Sequence, residues 1–352
     1  METKYLNVWK NELDICIRCG YCFEKCPVFG VLNWESDTPR GKAILAYGLL
    51  SGEIEPSQEL ADKFFQCTFC RECLGSCSAD VKLIDLFSAA RADMITAGFA
   101  HDAHKYMVES VKKTGNIFND SELKAPVSEG ETTVYLGCQY LGRGNLTKTY
   151  LNILEKLGIK PRVKEEICCG FPFMALGFRD EFEEHRKKFL EMFPEEDIIA
   201  LCPTCAAFLE EEYGKKVRHV MEVIAERVPE AKLGGKVTYH DPCDFSRELG
   251  LIDEPREILE KIGVEVVEMP RNKKDSSCCG GGGGILMSDA ELSGRIADGR
   301  IREAVATGAE MLVTPCPTCE KVLKEASMAL NKEGENNIPV RNICQLIWKA
   351  IK

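Results

Sequence analysis

The sequence predicts an α+β multidomain protein: an all-α N-terminal domain over residues 1–112, then two repeated α/β domains over 132–235 and 236–352 with pseudo-two-fold symmetry. Three observations predict it. The chain has 352 residues and 19 cysteines, and every cysteine except Cys344 falls into one of four groups with metal-ligand spacing. Before residue 113, two close cysteine runs are joined by helix-like apolar spacing with few β-branched alternations. From residue 132 the chain repeats itself, strand for strand and cysteine for cysteine.

In the first domain, Thr38-Pro39-Arg40-Gly41-Lys42 reads as a turn and helix start before the apolar run Ala43 to Leu50. Gln58 to Phe65 and Leu83 to Thr96 also carry helical spacing. Residues 113–131, with Gly115, Asn116, Asn119, Asp120, Pro126 and Gly130, read as a linker. In the repeat, the β run ending at Cys138 matches the one ending at Cys243. Leu151 to Gly158 matches Glu257 to Gly263, a helix closed by glycine. The strand before Cys202 matches the strand before Cys316, and helices over Ala206 to Tyr213 and Glu320 to Leu330 follow. Ligands of open α/β sheets collect at the carboxyl ends of strands, where both halves place their cysteines.

A net charge of -11 excludes nucleic acid as a general partner, because phosphate binding needs a basic footprint. No stretch approaches the roughly 18 apolar residues of a membrane span. The N-terminal residues lack the apolar core of a secretory signal, so the cysteines are expected reduced or metal-bound in the cytoplasm. Any membrane attachment is expected through a partner.

The first two cysteine groups are Cys16, Cys19, Cys22, Cys26 and Cys67, Cys70, Cys73, Cys77. Three cysteines at three-residue spacing curl round one [4Fe–4S] cube, while the fourth reaches the other cube of a two-cluster domain. On that rule Cys16, Cys19, Cys22 and Cys77 hold one cube, and Cys67, Cys70, Cys73 and Cys26 the other. Ser78 stands where the first run has Pro27. Paired zinc sites are the alternative, although zinc has no use for a third cysteine at this spacing.

The other groups are Cys138, Cys168, Cys169, Cys202, Cys205 and Cys243, Cys278, Cys279, Cys316, Cys319. Mononuclear zinc takes four ligands, not five. Adjacent cysteines in extended backbone point apart and suit two irons of one polynuclear centre. Gly170 and the run from Gly280 and Gly281 to Gly284 let the backbone turn and approach a bulky inorganic core. That run is no dinucleotide fingerprint, since Ile285 takes the last glycine's place. With no flavin or nicotinamide motif in this chain, the electron donor is expected to be another protein.

The two Cys…Cys-Cys-Gly…Cys-Pro-x-Cys units resemble the CCG domains of the heterodisulfide reductase family, and the first two runs resemble its small iron–sulfur subunit. From about residue 10 onward, the chain resembles a fused HdrC–HdrB protein or an HdrD subunit. The resemblance implies two noncubane [4Fe–4S] clusters, one on each set of five cysteines, beside the two cubane [4Fe–4S] clusters. It further implies cleavage of a small disulfide, such as that of coenzymes M and B, between the noncubane pair. An HdrA-like flavoprotein or an HdrE-like cytochrome would supply the electrons. Two other classes remain. One is an electron-transfer subunit of a flavin-dependent lactate, glycolate or glycerol-3-phosphate dehydrogenase, and the other is a zinc scaffold.

Among other residues, His240, just before Cys243, is a candidate to donate a hydrogen bond or proton to a departing thiolate. Arg143, Arg179, Arg247 and Arg271 lie near the cysteine motifs and suit an anionic substrate, though each also reads as solvated surface. His101 and His104 share a helix face without making a metal site. Cys344 reads as a small buried hydrophobe, and Glu181 to Lys188 as a solvated helix face.

Overall fold

A computed structural model describes residues 3–352. The chain divides into two compact units. One takes the chain up to Glu109, with Pro172–Glu184 and Ser277–Ile296. The other takes Ser110–Phe171, His185–Ser276 and Ala297–Lys352.

The first unit is helical, and among the described residues no strand precedes Thr132. Helix α1 (Pro39–Ser51) starts where the turn signal stands: proline is at its first position, and the Thr38 side chain accepts from Gly41 N at 2.9 Å. A Cβ on Gly41 would meet Glu35 O at 2.0 Å, so glycine lets this first turn lie on the preceding one. Helix α2 (Gln58–Phe65) is capped by Ser57, which accepts from Leu60 N at 3.1 Å. Helix α3 (Leu83–Thr96) is buried on most sides through Leu86, Phe87, Ala89, Ala90 and Met94, and packs on α1 and α2. A helix buried on most sides belongs inside, and α3 is the spine of this unit.

The second unit holds two four-stranded parallel sheets. In the first, β1 (Thr132–Tyr135), β2 (Pro161–Arg162), β3 (Asp197–Ala200) and β4 (Lys216–His219) lie in the order β2-β1-β3-β4. In the second, β5 (Lys236–Tyr239), β6 (Glu265–Val266), β7 (Met311–Thr314) and β8 (Val340–Asn342) repeat that order as β6-β5-β7-β8. The central strands bury Val134, Tyr135, Ile199 and Ala200 in one sheet and Val237, Tyr239, Leu312 and Val313 in the other. Such continuous apolar runs mark parallel strands covered on both faces.

The helices repeat as well. The first half carries α4 (Cys138–Leu141), α5 (Gly144–Lys156), α6 (Pro203–Tyr213) and α7 (Val220–Arg227). The second carries α8 (Glu254–Lys261), α9 (Pro317–Lys332) and α10 (Ile343–Ile351). The halves exchange equivalent contacts: α5 packs on α10 and α7 on α8, each time the helix after a half's first strand against the helix after the other half's last. That reciprocity is the expected pseudo-two-fold relation. It is fastened by Tyr140 Oη donating to Pro315 O at 2.5 Å and Thr204 Oγ1 donating to Asp244 Oδ2 at 2.5 Å.

Residues 113–131 are not a bare tether. Gly115 O accepts from Cys168 N at 2.6 Å, and Ser128 bridges to Val163 through bonds of 3.0 and 3.1 Å.

Candidate metal centres

In the first unit, two cavities sort the eight ferredoxin-type cysteines. An outer one, with about 370 Å³ of empty space, is lined by Cys16, Cys19, Cys22 and Cys77. An inner one of about 350 Å³ is lined by Cys26, Cys67, Cys70 and Cys73. Each cavity thus draws three cysteines from one run and the fourth from the other. Cys19 is exposed, whereas Cys70 and Cys73 are buried.

The first turn of α1 touches both: Arg40 lines the outer cavity, Lys42 the inner. Lys42 is 2% exposed, and its Nζ donates to Asp37 O at 2.5 Å. The Asp37 carboxylate is committed to Lys63 at 2.7 Å. Arg91, fully buried on α3, spends its N–H groups on the carbonyls of Phe64, Phe65, Cys67, Ala175 and Gly283. Burial first, then neighbouring thiolates, push Cys22 and Cys26 up to about 11. Burial also raises Cys67, against the pull of Arg91 and Lys42. Crowded thiols that resist ionising fit a cationic iron–sulfur core, whose charge would hold them as thiolates.

In the second unit, the first set of five cysteines converges. Cys138 opens α4 at the end of β1, Cys202 is the N-cap of α6, and Cys205 lies in its first turn. All five are buried. Cys138 Sγ lies 3.9 Å from Cys168 Sγ, and hydrogen bonds continue from Cys168 to Cys169, Cys205 and Cys202. A Cβ on Gly137, at φ +81°, would meet Cys205 Sγ at 3.0 Å, so this strand-to-helix turn needs glycine. Hydrogen bonds from Cys168 and Cys205 draw Cys169 below the ordinary thiol range, while its donors are raised. Five buried sulfurs within reach of one another form a dense donor set that fits a polynuclear iron–sulfur centre, on which each would bind as a thiolate.

The adjacent pair is held by its backbone. His185 Nε2 lies 2.6 Å from Cys168 O, and Tyr213 Oη donates to Cys169 O at 2.7 Å. Glu166 accepts from Leu136 N at 3.0 Å and Gly137 N at 2.7 Å, while burial pushes its carboxyl up to about 8. Gly170 has φ +94°.

The second set divides between the units. Cys243, Cys316 and Cys319 belong to the second unit, where Cys316 caps α9 as Cys202 caps α6. Cys278 and Cys279 belong to the first, in side-chain contact with each other. There Cys278 also contacts Cys70 and Thr68. Its hydrogen bond with Cys279 pushes its thiol up to about 12, against one from Cys70. The glycines beside the pair approach backbone: Cβ atoms on Gly282 and Gly283 would meet Thr68 O at 2.3 Å and Cys67 O at 2.0 Å.

His240 is 1% exposed at the end of β5. Arg300 Nε donates to its Nδ1 at 3.1 Å, and one of its ring nitrogens lies within 4.8 Å of Cys319 Sγ. Nε2 has no hydrogen-bond partner among the described residues. Burial, then Arg300, push its pKa down to about 3. Arg300 is itself held by Arg271 O at 2.7 Å and Ser276 Oγ at 3.0 Å.

The candidate anion-binding arginines have local partners. Arg143 donates to Gln139, Arg179 to Ser88 and Met174, Arg247 to Lys274 and Ser276, and Arg271 to Asp275. The His101 and His104 rings pack against Phe65. Cys344 is fully buried. Lys42, Arg91, Glu166, His185 and Tyr213 escaped the sequence reading. Only Lys42 carried a signal, its place in the helix start between the two runs.

Comparison with known proteins agrees with this anatomy. A 4Fe-4S dicluster domain matches residues 12–81, and the cysteine-rich CCG domain matches 132–210 and again 237–324. A component of the dihydromethanophenazine:CoB–CoM heterodisulfide reductase of Methanosarcina barkeri is 27% identical, over 100% of this chain and 97% of that protein. A component of the fumarate reductase (CoM/CoB) of Methanothermobacter marburgensis is 28% identical, over 97% of this chain and 73% of that protein. A hypothetical protein from Helicobacter pylori superposes with a TM-score of 0.62 over 98% of this chain and 71% of that chain, at 10% identity. That likeness concerns the fold alone.

Proposed function

The chain belongs to the heterodisulfide-reductase-like family of iron–sulfur proteins that join a dicluster domain to two CCG domains, and from that premise we propose that it is the disulfide-reducing subunit of a larger oxidoreductase. Cys16, Cys19, Cys22 and Cys77 hold one cubane, and Cys26, Cys67, Cys70 and Cys73 the other. Cys138, Cys168, Cys169, Cys202 and Cys205 hold one noncubane cluster. By the repeat of the sequence, Cys243, Cys278, Cys279, Cys316 and Cys319 hold its counterpart. The observation that carries the reading is the unbroken contact among the five buried thiols of the first set.

Clusters of this kind, when bound, would supply electrons one at a time, and a pair of them matches the two electrons that, with two protons from solvent, turn a disulfide into two thiols. The protein arranges the rest. The exposed rim at Cys19 faces a redox partner, an HdrA-like flavoprotein or an HdrE-like cytochrome. The contact between Cys70 and Cys278 supports a path from the inner cubane toward the second CCG pair. His240 acts as a fixed N–H donor at the Cys319 side. The bond from Arg300 occupies Nδ1, which leaves the ring proton on Nε2.

The electron-relay alternative is not favoured, because both halves keep a complete cysteine set. The test is anaerobic protein carrying about 16 iron atoms, a chemical one-electron donor, and the coenzyme M–coenzyme B heterodisulfide, with disulfide loss as readout. A fully loaded protein that ignores this and related disulfides, yet accepts electrons from a flavin dehydrogenase, would hand the case to the relay.

A further inference from the structure

The two cubane sites differ in a way their ligands do not explain. Both offer four cysteines, but the outer site reaches solvent at Cys19, while the inner one has Cys70 and Cys73 buried. Water stabilises the reduced, more negative state of an exposed cluster, and burial takes that stabilisation away. By burial alone the inner cluster would be the harder to reduce, and would stand as a barrier behind the outer one.

The inner cavity carries its own compensation. Lys42 lines it, is 2% exposed, and has its Nζ anchored on Asp37 O. Asp37 bears on Lys42 through space, but the ion pair its carboxylate makes is with Lys63, through Oδ1 at 2.7 Å. Arg91 adds a second buried cation through Cys67 O at 2.7 Å, with its other N–H groups tied to backbone. The remaining charged lining residues are Arg71 and Glu72. The α1 N-terminus, with the positive end of its dipole, supplies Pro39 and Lys42 to the same wall.

We propose that Lys42 is the counter-charge of the inner cluster, and that it raises that cluster's reduction potential so that electrons pass inward from the outer one. The proposal rests on the two-cubane reading above. Its readout is a potential rather than disulfide loss, so either can fail without the other. Lys42 is a positioning residue in the electrostatic sense: it touches no substrate and acts through the field at Cys26 and Cys67.

The experiment is a redox titration of the anaerobic full chain, followed by electron paramagnetic resonance. The outer signal is identified by its change in Cys19→Ser. Lys42→Gln keeps a donor for Asp37 O but removes the charge. It should lower the inner potential enough to change the reduced-to-oxidised ratio at fixed donor potential by about tenfold, or about 59 mV for one electron. The outer cluster should not move, and Lys42→Arg should leave both near the native values. An unchanged inner potential in an iron-replete Lys42→Gln protein would overturn the proposal, as would an equal shift of both cubanes. If that variant fails to hold its clusters, Lys63→Met carries the test at a partly exposed position. Releasing the Asp37 carboxylate toward Lys42 should lower the inner potential in the same direction, and no shift there overturns the proposal as well.

Discussion

Arg300 donates its Nε–H to Nδ1 of His240 at 3.1 Å, and that bond decides which ring nitrogen carries the proton. A guanidinium cannot accept, so Nδ1 must, and neutral His240 carries its hydrogen on Nε2. An N–H held beside Cys319, a ligand of the proposed centre, would orient and tune that centre. His240→Phe should therefore keep the iron content while disulfide reduction falls about ten- to a hundredfold, and His240→Gln, which can still donate, should recover part of the loss. Equal losses in the two variants would show that the ring's shape, not its hydrogen, matters.

The crossed grouping of the fourth cysteines yields a second expectation. Cys77 lines the cavity of Cys16, Cys19 and Cys22, while Cys26 lines that of Cys67, Cys70 and Cys73. Cys26→Ser should disturb the inner cluster's spectrum, and Cys77→Ser the outer one's. Each replacement perturbing only the cluster of its own run would reverse the assignment.

How much of this was legible in the sequence follows from what is local. Cysteine spacing is local, so the crossed grouping of the eight cysteines around two cavities could be read from the two runs, and the strands delivering Cys138, Cys202, Cys243 and Cys316 could be read from their apolar runs. Short outer strands such as Pro161–Arg162 and Glu265–Val266 have too few residues to show a period. The burial of the charged groups was hidden for a different reason. Lysine, arginine and glutamate are mostly solvated, and only tertiary packing reveals that Lys42, Arg91 and Glu166 are not. The membership of Pro172–Glu184 and Ser277–Ile296 in the helical unit is likewise a product of packing. No pattern within those segments announces it.

His219 supplies a pH dependence. It caps α7 by accepting from Met221 N at 3.1 Å, its Nε2 lies 2.9 Å from Leu201 O, and burial pushes its pKa from 6.5 down to about 3. The folded state therefore favours the neutral ring. Its contribution to stability is present above pH 6.5 and is lost as pH falls from 6.5 toward 3, at up to about 1.4 kcal/mol per pH unit for one proton. His219→Asn keeps the cap but has no such proton to bind. Thermal midpoints at pH 7.5 and 5 should differ more in the native protein than in the variant. Identical differences would remove His219 from the account of acid sensitivity.

The two CCG halves lead to the most demanding expectation. A disulfide takes up two electrons and leaves two sulfurs, and a single half offers one cysteine set. If the chemistry needs both, damage to either half should abolish it, not halve it. Cys169 is buried within the first set, in hydrogen-bonded contact with Cys168 and Cys205, and Cys279 is its partner by the repeat. Cys169→Ala and Cys279→Ala should each reduce disulfide cleavage by at least about a hundredfold. The proposed cubanes should remain reducible by a chemical one-electron donor, because the eight cysteines assigned to them are untouched. The decisive comparison is the double variant. Residues acting as one unit are non-additive, so the pair should be no slower than either single replacement. If the losses multiply, or if one variant keeps about half of the native rate, then the halves work independently and cleavage between two centres is wrong.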